Sequence, residues 1–350
     1  MDHRPINFRL REYRASVTRF ATVGLAIGAL TACSSHPAQT APPTISPARA
    51  AVSPAVGGIP DGVVHPLPGP GTGATFDSAT SSLVVLGTDG TGRPVATVPG
   101  SLPVVLPAAA TGVTGDGAGT AFLSTRGGYL RFDIGKRAVQ SVAVDGQSGT
   151  DFTSIARRAD GKLALGTADG AVLIVDGSAV QSQMKAFARV DGLAAQGNTV
   201  VVLDRGQTSV TEVNAAGTDV AQALRAGEGA TTLAADPAGR VLVTDTRGEG
   251  LLVFGTTPLM LRQQAPVRDA PYGIVGSSKL AWVSQTATNA VVGYDLSTGI
   301  PVEKVRYRTV QQPDVLAFDE HTGTLFVVSG SGAGVQTIAN AATAPGAGGH

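Results

Sequence analysis

Apolar and polar positions along the chain fall into short blocks, and the clearest example is Thr231 to Gly255, TTLAADPAGRVLVTDTRGEGLLVFG. A small-residue apolar run (Thr232 to Ala235) meets the turn Asp236-Pro237-Ala238-Gly239. A β-branched run (Val241 to Thr244), the turn Arg247-Gly248-Glu249-Gly250 and a third apolar run (Leu251 to Phe254) follow. Runs this short, bounded by Gly, Pro and Asp, predict strands rather than helices. The turns have a mechanism, because Pro presets φ and Gly accepts φ above zero.

The second run of this unit recurs as Leu83 to Leu86, Ala121 to Ser124, Leu163 to Gly166, Val200 to Leu203, Val241 to Thr244, Leu280 to Val283 and Leu325 to Val328, at intervals of 37 to 45 residues. A repeat of about 40 residues marks propeller blades. A four-stranded blade cannot bury both faces alone, and stacking such blades in a ring covers the faces. The chain is therefore expected to be all-β: a seven-bladed β-propeller of four-stranded antiparallel blades. A β-sandwich also shows regularly spaced short strands, but it has no reason to repeat one strand order seven times.

Three of these runs, Arg240 to Asp245, Lys279 to Gln285 and Thr324 to Ser329, resemble the second strand of YVTN-type propeller repeats. Over residues 60–340 the chain resembles secreted actinobacterial lipoproteins of the mycobacterial type that carry such a propeller. That resemblance implies a fold whose members range from scaffolds to lactonases and dehydrogenases, so it does not choose a function.

The seventh unit lacks an outer strand, because the Ala-, Pro- and Gly-rich tail at residues 341–350 cannot supply one. The unassigned extended piece Gly62 to Leu67 is expected to take that place and clasp the ring. Pro66 is tolerable on an outermost strand, which has one free edge.

The chain of 350 residues carries equal numbers of basic and acidic residues, 26 of each, which points to neither nucleic acid nor an anionic surface as partner. Residues 1–32 read as a lipoprotein signal peptide: Arg4, Arg9, Arg11, Arg14 and Arg19 precede an apolar stretch, Phe20 to Ala32, too short to span a bilayer. Leu30-Thr31-Ala32-Cys33 matches a bacterial lipobox, and Cys33 is the only cysteine. Diacylglycerol on Cys33 would hold the protein on the outer face of the cell membrane. Residues 33–57, rich in Pro, Ala and Ser, read as a disordered tether, residues 58–340 as the propeller and 341–350 as a disordered tail.

Chemistry on such a ring is expected at the channel mouth, where the innermost strands begin: Gly73, Thr111, Thr153, Asp191, Thr231, Tyr272 and Asp314. All but Gly73 are candidate ligand-binding residues. Asp191 and Asp314 are expected across the channel from one another, with Asp151, Arg189, Arg268, Asp269 and Gln312 near the rim. Calcium-dependent lactonases need converging Asn, Asp and Glu, yet Asn7, Asn198, Asn214, Asn289 and Asn340 are expected in the signal, outer turns or tail. His3, His36, His65, His321 and His350 leave no imidazole at the channel for a general base. Neither Gly69 to Gly73 nor Gly115 to Gly119 opens a helix as a phosphate loop must, and Asp245 to Glu249 lacks calcium-loop spacing. The expectation is a monomeric, non-enzymatic module without metal or cofactor that binds an envelope protein, glycan or small ligand. The alternative is a metal-assisted lactonase or hydrolase using Asp191 and Asp314.

Overall fold

In the computed structural model, residues 43–343 are described. The expected signal peptide, Cys33 and the last seven residues of the tail lie outside them.

Seven four-stranded antiparallel sheets form the blades, and no helix occurs among the described residues. Blades 1 to 6 comprise residues 71–105, 110–143, 152–185, 192–225, 230–266 and 271–308, each in the order inner to outer along the chain. Contacts between neighbouring innermost strands run all the way round and return from blade 7 to blade 1. Each recurrent run of the sequence forms the second strand of its blade. That position is buried on both faces, and the residues of Thr199–Asp204 and Arg240–Asp245 that follow the first are buried without exception. Outer strands alternate instead, as in Ala179–Lys185, because their far face meets water.

Blade 7 takes three strands from residues 313–338 and its fourth from the N-terminal side: Val63–His65 pairs antiparallel with Val335–Ile338, Val64 opposite Gln336. The expected clasp is present. Its own side chains are exposed, so backbone pairing rather than burial holds it. Large side chains fill the gaps between blades. Trp282 stacks on Phe318 with centroids 6.1 Å apart, and Phe76 on Phe326 at 5.4 Å. The basic residues of Val302–Arg308 face water in ion pairs, Lys304 with Asp295, Arg306 with Glu303 and Arg308 with Asp61.

Two segments expected to be disordered are instead docked in part. Residues 43–57 run as an extended strap across one face of the ring, from blade 4, where the Ile45 amide donates to the Gly206 carbonyl (2.7 Å), to blade 6, where Asn289 Nδ2 donates to the Pro54 carbonyl (2.8 Å). At the other end, Tyr307 Oη donates to the carbonyls of Ala341 (2.8 Å) and Thr343 (3.0 Å), and Ala341 is buried. Composition read these stretches as unable to pack. A few small residues, Ala48, Ser53 and Ala341, are buried, and hydrogen bonds to the ring hold the rest.

Candidate functional site

The strap marks the mouth. Innermost strands open on the face it crosses, and six of the seven carry a β-bulge at that end. The extra residue turns its side chain out of the ladder. The bulge residues are Thr72, Thr111, Thr153, Thr231, Tyr272 with Gly273, and Asp314. Thr72 rather than Gly73 thus holds the expected position in blade 1. Blade 4 has no bulge, and Asp191 stands just before its first strand, its amide donating to the Leu203 carbonyl (2.9 Å).

Hydroxyls at three of these positions sew the ring together. Thr111 Oγ1 donates to the Phe152 carbonyl of the next blade at 2.7 Å, and Thr153 Oγ1 donates to the Val190 carbonyl. Thr231 Oγ1 lies 2.6 Å from Thr246 Oγ1, which donates to Pro271 O of the next blade at 2.6 Å. Asp191, Tyr272 and Asp314 instead line one cavity of about 660 Å³ between strap and rim, into which Arg49, Arg189, Arg205 and Gln312 also face. A deeper space of about 410 Å³ leads from it down the channel, and Tyr272, Asp314 and Gly330 border both.

The two acids at the mouth differ. Asp191 has both oxygens engaged: Oδ1 accepts from Arg189 Nε (2.9 Å), and Oδ2 from the Arg205 amide (2.9 Å). Asp314 Oδ1 accepts from Gln312 Nε2 at 2.8 Å, while among the described residues no donor reaches Oδ2. That oxygen lies so close to Gly330 that a Cβ there would stand 2.1 Å from it. Burial raises the Asp314 carboxyl above the usual carboxylate range, partly offset by the Gln312 bond. Burial also raises the Tyr272 phenol; Arg205 nearby opposes the shift and Asp314 reinforces it, which places the ring near both charges.

Gln312 joins strap to channel. Its Nε2 donates to the Ala51 carbonyl (3.0 Å) as well as to Asp314, and its Oε1 accepts from the Ser53 amide (2.9 Å). Thr286 adds two more strap bonds, to the Ala51 amide and the Ser53 hydroxyl. Arg205 donates to the Ala48 carbonyl, and Arg247 to that of Ser46 (2.8 Å). Asn289, expected on an outer turn, sits on this rim, with Oδ1 accepting from the Gln312 amide (3.1 Å). Of the other residues expected near the rim, Asp151 pairs with Arg126 (3.0 Å), and Arg268 accepts through its carbonyl from Gln285. Among the described residues no group of three or more His, Cys, Asp or Glu side chains gathers at metal-binding range.

No family model matches the chain, and no curated protein matches it. Solved structures do. A hydrazine synthase from Kuenenia stuttgartiensis is similar over 82% of this chain and 100% of that one, at 16% identity and a TM-score of 0.62. A catalytically inactive virginiamycin B lyase from Staphylococcus aureus with quinupristin is similar over 79% of this chain and 97% of its own, at 11% identity and 0.62. A chain of the mitotic checkpoint complex is similar over 84% and 95%, at 12% identity and 0.60. What they share with this protein is the propeller. Their functions differ from one another, so the site and not the fold must choose.

Proposed function

We propose that the protein is a lipid-anchored, extracytoplasmic β-propeller of the YVTN type that acts as a non-enzymatic binding module, with its ligand seated in the strap-covered mouth. The observation that carries this reading is how the mouth carboxylates are occupied. A hard-cation site needs several converging oxygens. Here Asp191 is spent on Arg189 and the Arg205 amide, and Asp314 offers one oxygen that burial keeps prone to protonation. The geometry suits a ligand that completes hydrogen bonds better than a metal that activates water.

Lipid on Cys33 would set the orientation. Residues 34–42 lie between Cys33 and the start of the strap at blade 4, a stretch whose contour is at most roughly 36 Å. An anchored chain would therefore hold its mouth toward the bilayer rather than far out on a long leash.

Two measurements test this reading. Replacing Cys33 with Ser should move the protein from the membrane to the soluble fraction; continued membrane retention refutes the anchor. Elemental analysis of the purified protein should find metal well below one equivalent, with no lactone turnover. Stoichiometric metal that is lost in both Asp191→Ala and Asp314→Ala would establish the lactonase or hydrolase alternative instead.

A further inference from the structure

The strap does more than cover the mouth: it changes its charge. Three arginines and two aspartates line the outer cavity. Arg189 and Asp191 neutralise one another at 2.9 Å. Among the described residues neither Arg49 nor Arg205 makes an ion pair. Arg205 spends one guanidinium nitrogen on the Ala48 carbonyl, while its Nε is buried without a hydrogen-bond partner. An anion in the cavity would meet a guanidinium that no carboxylate neutralises among the described residues. Arg49 belongs to the strap itself and faces the same cavity.

The inner end has a different character. Tyr272 and Asp314 line the same cavity as Arg205 and also border the deeper space down the channel. Among the described residues no hydrogen bond engages the Tyr272 hydroxyl or Asp314 Oδ2. A phenol and a carboxyl recognise hydroxyl groups, each able to donate or accept according to protonation. A cavity of about 660 Å³ is of the size that holds small molecules.

We infer that strap and mouth together form a site for a small hydroxylated carboxylate, a sugar acid, whose anion lies between Arg49 and Arg205 and whose hydroxyls meet Tyr272 and Asp314. This rests on the reading of the mouth as a ligand site. Arginine suits the task, since its planar fork matches a carboxylate. The site is whole only with the strap docked, because the strap supplies Arg49 and, through Ala48, fixes Arg205.

Isothermal titration of the detergent-purified full-length protein tests this with four probes: D-glucuronate, D-glucose, acetate and a glucuronate-ended tetrasaccharide. D-Glucuronate should bind saturably with a dissociation constant near or below roughly 1 mM, and glucose and acetate at least about tenfold more weakly. Arg49→Gln, on an exposed segment, should weaken glucuronate about tenfold without changing the melting temperature, and Tyr272→Phe should weaken it too. Tetrasaccharide tighter than monosaccharide identifies a glycan terminus as the source, and equal affinity a free sugar acid. Glucose binding as tightly as glucuronate, but weakened by Tyr272→Phe, overturns the anion assignment and leaves the mouth as a ligand site. Glucuronate binding that neither substitution alters places the ligand elsewhere and overturns both readings. No saturable binding of any probe overturns the sugar-acid assignment.

Discussion

Replacing Gln312 with Ala should loosen the strap while leaving the propeller intact. Nine hydrogen bonds hold residues 45–54. At about 1 kcal/mol net each, they amount to about 9 kcal/mol. Ordering the ten backbone positions costs about 1 kcal/mol apiece, or about 10 kcal/mol, lessened by Pro47 and Pro54, which are already restricted when free. The two totals nearly cancel, so the strap opens at modest cost, independently of the ring. Gln312 supplies two of the nine bonds, to Ala51 and Ser53. Losing them removes about 1–3 kcal/mol, a factor of about 5 to 150 in the opening equilibrium.

Limited trypsin digestion reads this out, because Arg49–Ala50 lies in the strap. A protease needs a locally opened chain, and when opening is fast the cleavage rate follows the open population. Gln312→Ala should raise the cleavage rate at Arg49 by up to that factor, the ceiling being a fully open strap, while the melting temperature shifts only by what the lost Gln312–Asp314 bond costs the ring. An unchanged cleavage rate would refute the bond accounting. A melting temperature that fell in step with faster cleavage would show that strap and ring open as one unit.

Three further outcomes follow from other parts of the fold. Asp245 is buried and accepts from the amides of Glu228 (2.8 Å), Gly229 (2.8 Å) and Gly248 (2.9 Å); Asp245→Ala strands those donors and should cost about 3–5 kcal/mol by chemical denaturation, whereas a loss under about 1 kcal/mol contradicts it. Gly62 has φ of +77°, and a Cβ there would stand 2.2 Å from the Thr337 carbonyl oxygen, so Gly62→Ala should cost about 1–3 kcal/mol and speed amide exchange at Val64; unaltered exchange there would count against it. The raised carboxyl of Asp314 means that the folded state resists its ionisation. That contribution to stability is whole below the unfolded pKa and is lost as pH rises through the folded one. Asp314→Asn should therefore melt higher than wild type at neutral pH and converge with it in acid, and a gap that widened on acidification would reverse the sign of the argument.

The ring was legible because burial on both faces forces each second strand into a near-continuous apolar run, as at Val200 to Leu203, and seven such runs count the blades. The clasp was legible by deficit, since blade 7 came up one strand short. The strap was not. Its Pro, Ala and Ser residues bury little, and its bonds are made by Gln312, Thr286, Asn289 and Arg205, which lie between 157 and 261 residues away in sequence. The mouth was legible in part, because the start of an innermost strand can be counted from the repeat. Whether its side chain spans to the next blade, as Thr111 and Thr153 do, or opens into the cavity, as Asp314 does, depends on bulge geometry that no residue pattern announces.

Strap and clasp belong to one continuous segment, and Asp61 keeps their fates apart. Its amide donates to the Arg308 carbonyl (3.0 Å), its Oδ2 accepts from the Arg308 amide (2.6 Å), and its own carbonyl accepts from Gln336 (2.5 Å). Everything N-terminal to that knot can leave the face of the ring without pulling on Val63–His65. An anchor on Cys33 would load the segment from its N-terminal end. Tension would then peel Ser46, Ala48 and Ala51 from the rim before it reached Asp61, exposing the mouth and withdrawing Arg49 while the ring stayed closed. The order of these attachments makes the mouth the yielding part of the molecule and the ring the enduring one.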